Sequence, residues 1–232
     1  IQAGWEAQLI AGELPDELKT MGVQLLLSPD KNGIAYKALA GAAQTLGLSN
    51  AALLVKVGAI ASTLAVHQTK FLKEHFPKGV QFPADTHVSQ SHWQAISAEL
   101  PVAEVNAFSI DDAMTTEIDD ALSVTDLPDG GHRIGIHIAA PGLVLDRDDA
   151  LDEVARSRMS TVYFPGDKIT MLPDTVIQKF SLDEGGLRPA LSVYVDIDAD
   201  GVANRETIQM RAEMVPIAAN LRLENIEHLV SE

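Results

Sequence analysis

The chain is 232 residues long, enough for one large or two small domains, and its 46% apolar and 22% charged content is that of a folded protein rather than a disordered one. It has no cysteine, which excludes disulfides, thiolate zinc sites, iron–sulfur clusters and cysteine nucleophiles. The net charge of -16 is unevenly placed. Residues 1–100 hold seven lysines, no arginine and eight acids, whereas residues 101–232 hold ten bases against twenty-five acids. Such an acidic second half argues against direct binding of a polyanion, but suits divalent cations.

The N-terminus, IQAGWEAQLIAGELPDELK, has neither an initiating Met nor a basic segment and does not resemble a signal peptide; it reads as an internal start. The most apolar run, Ala51 to Val66, contains Lys56 and is too short for about 30 Å of hydrocarbon, so a buried helix pair and a cytoplasmic protein are expected. Pro15-Asp16-Glu17-Leu18 reads as a helix start, and Ser28 to Gly33 as a turn. Ile34 to Leu46 is an Ala-rich helix ended by Gly47. Ser49 and Asn50 can cap a helix beginning near Ala51, and a further helix covers Leu64 to His75. Residues 1–77 therefore form a helical domain, either of helix-turn-helix or winged-helix type or a plain bundle. Its lack of arginine and near-neutral charge speak against strong DNA affinity.

Residues 78–105 read as a proline-punctuated connector with one short helix, Ser89 to Glu99. Beyond Asn106 the pattern changes to strands. Ala107 to Ile110 and Ala121 to Val124 are short strands, Asp129-Gly130-Gly131 is a hairpin turn, and Arg133 to Ala139 (RIGIHIA) reads as a buried strand. A helix spans Asp148 to Met159, with acids in its first turn and Arg156 and Arg158 in its last. Strands at Leu191 to Ile197 and Glu206 to Met214 flank a turn at Asp198 to Gly201. The fold class is α+β, a helical region followed by a mixed sheet domain over 106–232.

Within the ten residues Asp111 to Asp120 lie five acids, Asp111, Asp112, Glu117, Asp119 and Asp120, interleaved with Ile110, Ile118 and Leu122. Carboxylates gathered at the end of a buried strand repel one another and need raised pKa values or bound cations. Hard oxygen donors at this density suit Mg²⁺ or Mn²⁺. A solvated surface loop or a casual Ca²⁺ site is the plainer alternative, though the spacing is not that of an EF-hand.

Ala107 to Ala121, AFSIDDAMTTEIDDA, resembles the start of the catalytic (RNB) domain of the ribonuclease II / ribonuclease R family, which has a Thr-Ile-Asp stretch followed by Asp-x-Asp-Asp-Ala. The resemblance continues in order through Gly135-Ile-His-Ile-Ala139, Leu151-Asp152, Ala155-Arg156, Ser160-Thr-Val-Tyr-Phe-Pro165, Met171-Leu-Pro173, Phe180-Ser-Leu182 and Arg188-Pro-Ala-Leu-Ser192. The first hundred residues are similar only in being helical. The resemblance implies the first part of a β-barrel-like RNB domain. It also implies hydrolysis of single-stranded RNA from its 3′ end to nucleoside 5′-monophosphates, assisted by Mg²⁺ or Mn²⁺. On it, Asp111, Glu117, Asp119 and Asp120 fall on the catalytic and metal-ligand positions, and Tyr163 on the aromatic that packs against terminal nucleotides.

Arg188 is a candidate phosphate contact, although an Arg beside a strand more often pairs with a local acid. Tyr163 either stacks on a base or is a core tyrosine with a bonded hydroxyl. His137, within an apolar strand, reads as a satisfied core histidine. Two departures from the family pattern stand out: Glu117 replaces an Asp, and Ala140 replaces an acid. The family's later catalytic half and its C-terminal oligonucleotide-binding (OB-type) domain would be partners supplied by the remainder of a longer protein. The competing reading is an RNA-binding or regulatory protein that keeps the fold with catalysis impaired.

Overall fold

In the computed structural model, residues 1–84, 86 and 88–226 are described. The chain forms two compact units, Ile1–Gln81 and Phe82–Glu232. Among the described residues, no single helix is long and apolar enough to cross a membrane.

The first unit holds five helices: α1 (Gln2–Ile10), α2 (Gly22–Leu27), α3 (Ile34–Leu46), α4 (Asn50–Lys56) and α5 (Thr63–His75). The expected helix start at Pro15 yields only a single 3₁₀ turn, Asp16–Leu18, before α2. Helix α3 buries Ala38, Leu39, Ala42 and Ala43 on one face, against Leu9, Leu18, Leu25, Leu53, Leu54, Ile60 and Val66. The small residues let α1 come close: a Cβ at Gly41 would lie 2.6 Å from a Glu6 carboxylate oxygen. Gly47 ends α3 in the left-handed conformation, φ 65°. Ser49 Oγ accepts from Ala52 N at 3.1 Å, and Ser62 Oγ from Ala65 N at 3.1 Å, capping α4 and α5. Helices α3 and α4 meet at 90° across Gly47–Ser49, within the angles that helix-turn-helix pairs adopt.

In the second unit, α6 (Gln90–Glu99) lies within the stretch read as a connector. Its Trp93 packs edge-on against Phe180, ring centroids 5.3 Å apart, in a core with Val144, Leu151, Leu172 and Val176. Five strands follow the order β1 (Ala107–Asp111), β2 (Asp120–Asp126), β3 (His132–Ala139), then, after an excursion, β6 (Gly186–Ile197) and β7 (Ala203–Arg222). The excursion contains α7 (Ala150–Arg158), the two-stranded hairpin β4 (Val162–Phe164) and β5 (Asp167–Ile169), and α8 (Asp174–Phe180). A short helix, α9 (Leu223–Ile226), follows β7. The five long strands close on themselves, β1 pairing with β7 in parallel and every other neighbour antiparallel. Strand β7 runs twelve residues beyond the expected nine-residue segment in total reach, because it must pair with β6 along one edge and β1 along the other.

The expectation that Arg133 to Ala139 is buried on both faces is corrected. Gly135 and His137 point into the ring, while Ile136 and Ile138 point outward and are 40% and 45% exposed. A ring of only five strands has a narrow interior, and polar side chains fill it. His137 Nδ1 lies 2.8 Å from Ser192 Oγ and Nε2 2.9 Å from Ser123 Oγ. The Tyr194 hydroxyl donates to Glu213 Oε1 at 2.5 Å, and burial, with that carboxylate, pushes the phenol up to about 12. Among the described residues no buried side-chain polar atom lacks a partner.

Burial pushes the His137 imidazole below its ordinary value, with the Glu213 charge opposing. The folded chain therefore binds this proton less readily than the unfolded chain. The stability this contributes is complete above the unfolded value of 6.5 and is lost as pH falls from there through the depressed folded value. Thermal melts should show the midpoint falling between about pH 7 and pH 5, with a shallower fall in His137→Gln. An unchanged slope in the variant would place the titrating group elsewhere.

Candidate active site

The acidic segment is held at both ends by the ring and in its middle by the core. Asp111 ends β1 and Asp120 begins β2. Between them Ile118, 2% exposed, inserts among Ala107, Ala121, Leu182, Val215 and Ile217. Its N–H donates to Ser181 Oγ at 3.0 Å and its carbonyl accepts from Leu182 N at 2.8 Å. Asp119 O accepts from Ala139 N at 2.8 Å, and Arg222 Nη1 donates to Asp112 O at 2.9 Å. The interleaved isoleucine is thus the pin that presents the flanking acids, and the plain solvated loop is not what forms.

Asp111 Oδ2 accepts from Ser109 Oγ at 2.6 Å, and Ser109 Oγ accepts in turn from Asn220 Nδ2 at 3.0 Å. Asn220 Nδ2 also donates to Leu182 O at 3.0 Å. Glu117 is 11% exposed at its side chain and is ion-paired with Lys168; Thr161 Oγ1 lies 3.4 Å from its other oxygen. Lys168 Nζ also donates to Thr116 Oγ1 at 2.8 Å. Burial, and after it the charges of Glu117, Asp120 and Asp111, push the Asp119 carboxyl above the usual range, while Lys168 pulls it back. The four carboxylates therefore share one electrostatic neighbourhood.

Glu117 and Asp119 form the acidic wall of a cleft of about 360 Å³, whose other walls are largely apolar: Ala139, Met159, Leu172, Ile177 and Phe180. Asp111 and Asp120 do not line it. Tyr163 does, standing on β4 with 71% of its surface exposed, so it is not a core tyrosine. Arg188 is elsewhere. Its guanidinium donates to Gln178 O at 3.2 Å and Asp183 O at 3.4 Å, and lies 3.7 Å from the Asp183 carboxylate, stapling the loop after α8. Arg156 pairs with Asp148 and Asp152 on its own helix, and Arg158 Nη1 donates to Thr170 O at 2.6 Å.

An all-carboxylate donor set under mutual repulsion fits a hard divalent cation in charge and chemistry. As they stand, no three Asp, Glu or His side chains among the described residues converge closely enough to hold one. Two residues of this neighbourhood escaped the sequence reading, Lys168 and Asn220. Neither lies near the acids in the chain, and a lysine or asparagine at a strand position carries no local signal of such a role.

A closed mixed sheet with an acidic segment between its first two strands is the architecture in which the comparisons place the chain. The RNB domain model matches residues 101–231, and the chain belongs to that family. An uncharacterized ribonuclease of Synechocystis is 34% identical over 148 residues, covering 61% of this chain and 22% of that protein. Exoribonuclease 2 of Vibrio vulnificus is 39% identical over 119 residues, covering 51% and 18%. The chain thus spans about a fifth of the length of these curated relatives.

Among solved structures, an active-site mutant of the Dss1 exoribonuclease from Candida glabrata aligns with TM-score 0.66 at 17% identity, over 92% of this chain and 31% of that one. Mycoplasma genitalium RNase R in complex with ribose-methylated single-stranded RNA aligns with TM-score 0.59 at 16% identity, over 72% and 26%. Yeast Ssd1, described as a pseudonuclease, aligns with TM-score 0.56 at 18% identity, over 72% and 22%. At these identities the structural likeness is one of fold.

Proposed function

We propose that the chain is the opening part of the catalytic domain of a hydrolase that shortens single-stranded RNA from its 3′ end, releasing nucleoside 5′-monophosphates. The observation that carries this reading is the cleft in which Glu117 and Asp119 face apolar walls beside Tyr163. An aromatic at the mouth and an apolar body accept a planar base, and acids at one wall suit the ribose and phosphate end.

Asp111, Asp119 and Asp120, with Glu117 directly or through water, would hold Mg²⁺ or Mn²⁺. When bound, such ions supply activation of water and stabilisation of the leaving oxygen. The chain's own residues do the remainder. Asn220 and Ser109 fix the direction of the Asp111 carboxylate. The apolar walls exclude bulk water, and Tyr163 offers a ring to the terminal base. Asp119 is placed to accept a ribose hydroxyl, a contact that distinguishes RNA from DNA. The rest of the catalytic domain and an OB-type domain would complete the RNA path.

A second reading, an RNA-binding protein of the same fold with impaired catalysis, is favoured by one observation: Lys168 already compensates Glu117, the residue that departs from the family's aspartate. Incubation of the full-length protein with 5′-labelled single-stranded RNA, with Mg²⁺ or with EDTA, separates the two. Metal-dependent appearance of nucleoside monophosphates is expected. Retention of the RNA without any release would favour the second reading.

A further inference from the structure

We propose that Lys168 is a tethered counter-ion, which a divalent cation must displace from Glu117, so that metal occupancy of the acids and the position of the Tyr163 hairpin are linked. The inference rests on the metal-holding reading of the acidic cluster given above.

The hairpin β4–β5 has three residues in each strand and pairs with no other sheet. An isolated pair of this length is marginal in water and needs outside contacts. Glu117 supplies them on both flanks. Lys168, within β5, is ion-paired with it, and Thr161, just before β4, lies 3.4 Å from its other oxygen. Thr161 Oγ1 also accepts from Met171 N at 3.3 Å, tying the far end of the hairpin to the same point. Lys168 is the direct cross-strand partner of Tyr163. A single carboxylate therefore anchors the element that carries the exposed aromatic.

The same carboxylate belongs to the group of acids whose charges act on Asp119. A lysine ammonium is a compact point charge on a flexible stem, and the Lys168 side chain is 31% exposed, so water can receive it when it leaves. A divalent ion drawing Glu117 toward Asp119 competes for the oxygen that Lys168 holds. When the ion wins, the hairpin loses its tie, and Tyr163 is free to settle on whatever occupies the cleft. When the ion is absent, the lysine balances the acids and holds the hairpin down.

The test uses the full-length protein, Mn²⁺ titrations followed by electron paramagnetic resonance of the free ion, and hydrogen exchange of the amides at 162–169. Lys168→Met is expected to bind Mn²⁺ about tenfold more tightly than the unaltered protein, as removal of one positive charge beside the acids requires. Its hairpin amides should exchange quickly with or without the ion. In the unaltered protein these amides should be slow without Mn²⁺ and faster with it. Lys168→Arg, which keeps the charge, should resemble the unaltered protein in both readouts. Equal Mn²⁺ affinity in Lys168→Met and the unaltered protein would overturn the counter-ion role while leaving the metal reading intact. Hairpin amides indifferent to Mn²⁺ in the unaltered protein would overturn the linkage. No Mn²⁺ binding by any of the three proteins would sink the metal reading and this inference together.

Discussion

Replacing Asp119 or Asp120 with asparagine in the full-length protein is expected to lower nucleoside monophosphate release by about a thousandfold, with RNA affinity changed by no more than a few-fold. Asparagine keeps the size of the side chain and removes one negative charge. A loss of that size therefore reads the charge rather than the packing. Ile118 pins the segment from between these two positions, so neither substitution disturbs the anchor. Single-turnover hydrolysis and filter binding, measured on the same preparations, separate the two effects. A parallel loss of RNA binding would instead assign these acids to holding the chain's structure. Glu117→Asp is expected to keep or raise activity, since it restores the family's residue, and its shorter reach also loosens the hold on Lys168. A large loss in Glu117→Asp would show that the longer side chain is required as an anchor.

Gly135→Ala should destabilise the second unit by about 3 kcal/mol, through overpacking and a disturbed hydrogen-bond network. A Cβ there would lie 2.4 Å from Ser123 Oγ, 2.8 Å from His137 Nε2 and 2.9 Å from Tyr194 Cε1. These side chains are interlocked: Ser123 and Ser192 hold the imidazole, and Tyr194 is held by Glu213. None can yield without leaving a polar group unpaired in the ring. Gly41→Ala is the contrasting substitution. Its new methyl would meet the Glu6 carboxylate, the free end of a flexible side chain, and alanine is the better helix former by about 1 kcal/mol. Chemical denaturation should therefore leave Gly41→Ala near the unaltered protein and move Gly135→Ala far from it. A Gly135→Ala protein as stable as its parent would mean that the ring interior has room to spare.

Much of the local structure was legible in the chain because its causes are local. Ala-rich α3 with Gly47 behind it, the Ser49 and Ser62 caps and the Asp129-Gly130-Gly131 turn all rest on contacts within a few residues. Gly130 adopts φ 85°, and Gly131 N donates to Asp129 Oδ1 at 3.1 Å. The acidic segment was legible for the same reason, since its five carboxylates and the isoleucine that pins them are contiguous. The hairpin β4–β5 was not expected, because its strands are too short to show alternation and its stability comes from Glu117, far away in sequence.

Strand β3 marks the boundary between the two kinds of cause. Its alternation of isoleucine with Gly135 and His137 is written in the chain, but which set faces inward depends on the ring's narrow bore, a property of five strands together. Likewise the amino-acid order alone placed the acids side by side and tied them to a ribonuclease family. Folding chose their company. It brought Lys168 to Glu117 and Asn220 to the Ser109–Asp111 pair, contacts spanning 51 and 111 residues that no local pattern encodes. The reason is physical: a cap, a turn or a run of like charges acts over a few bonds, whereas the partner that offsets a charge is whichever group the closed sheet carries to it.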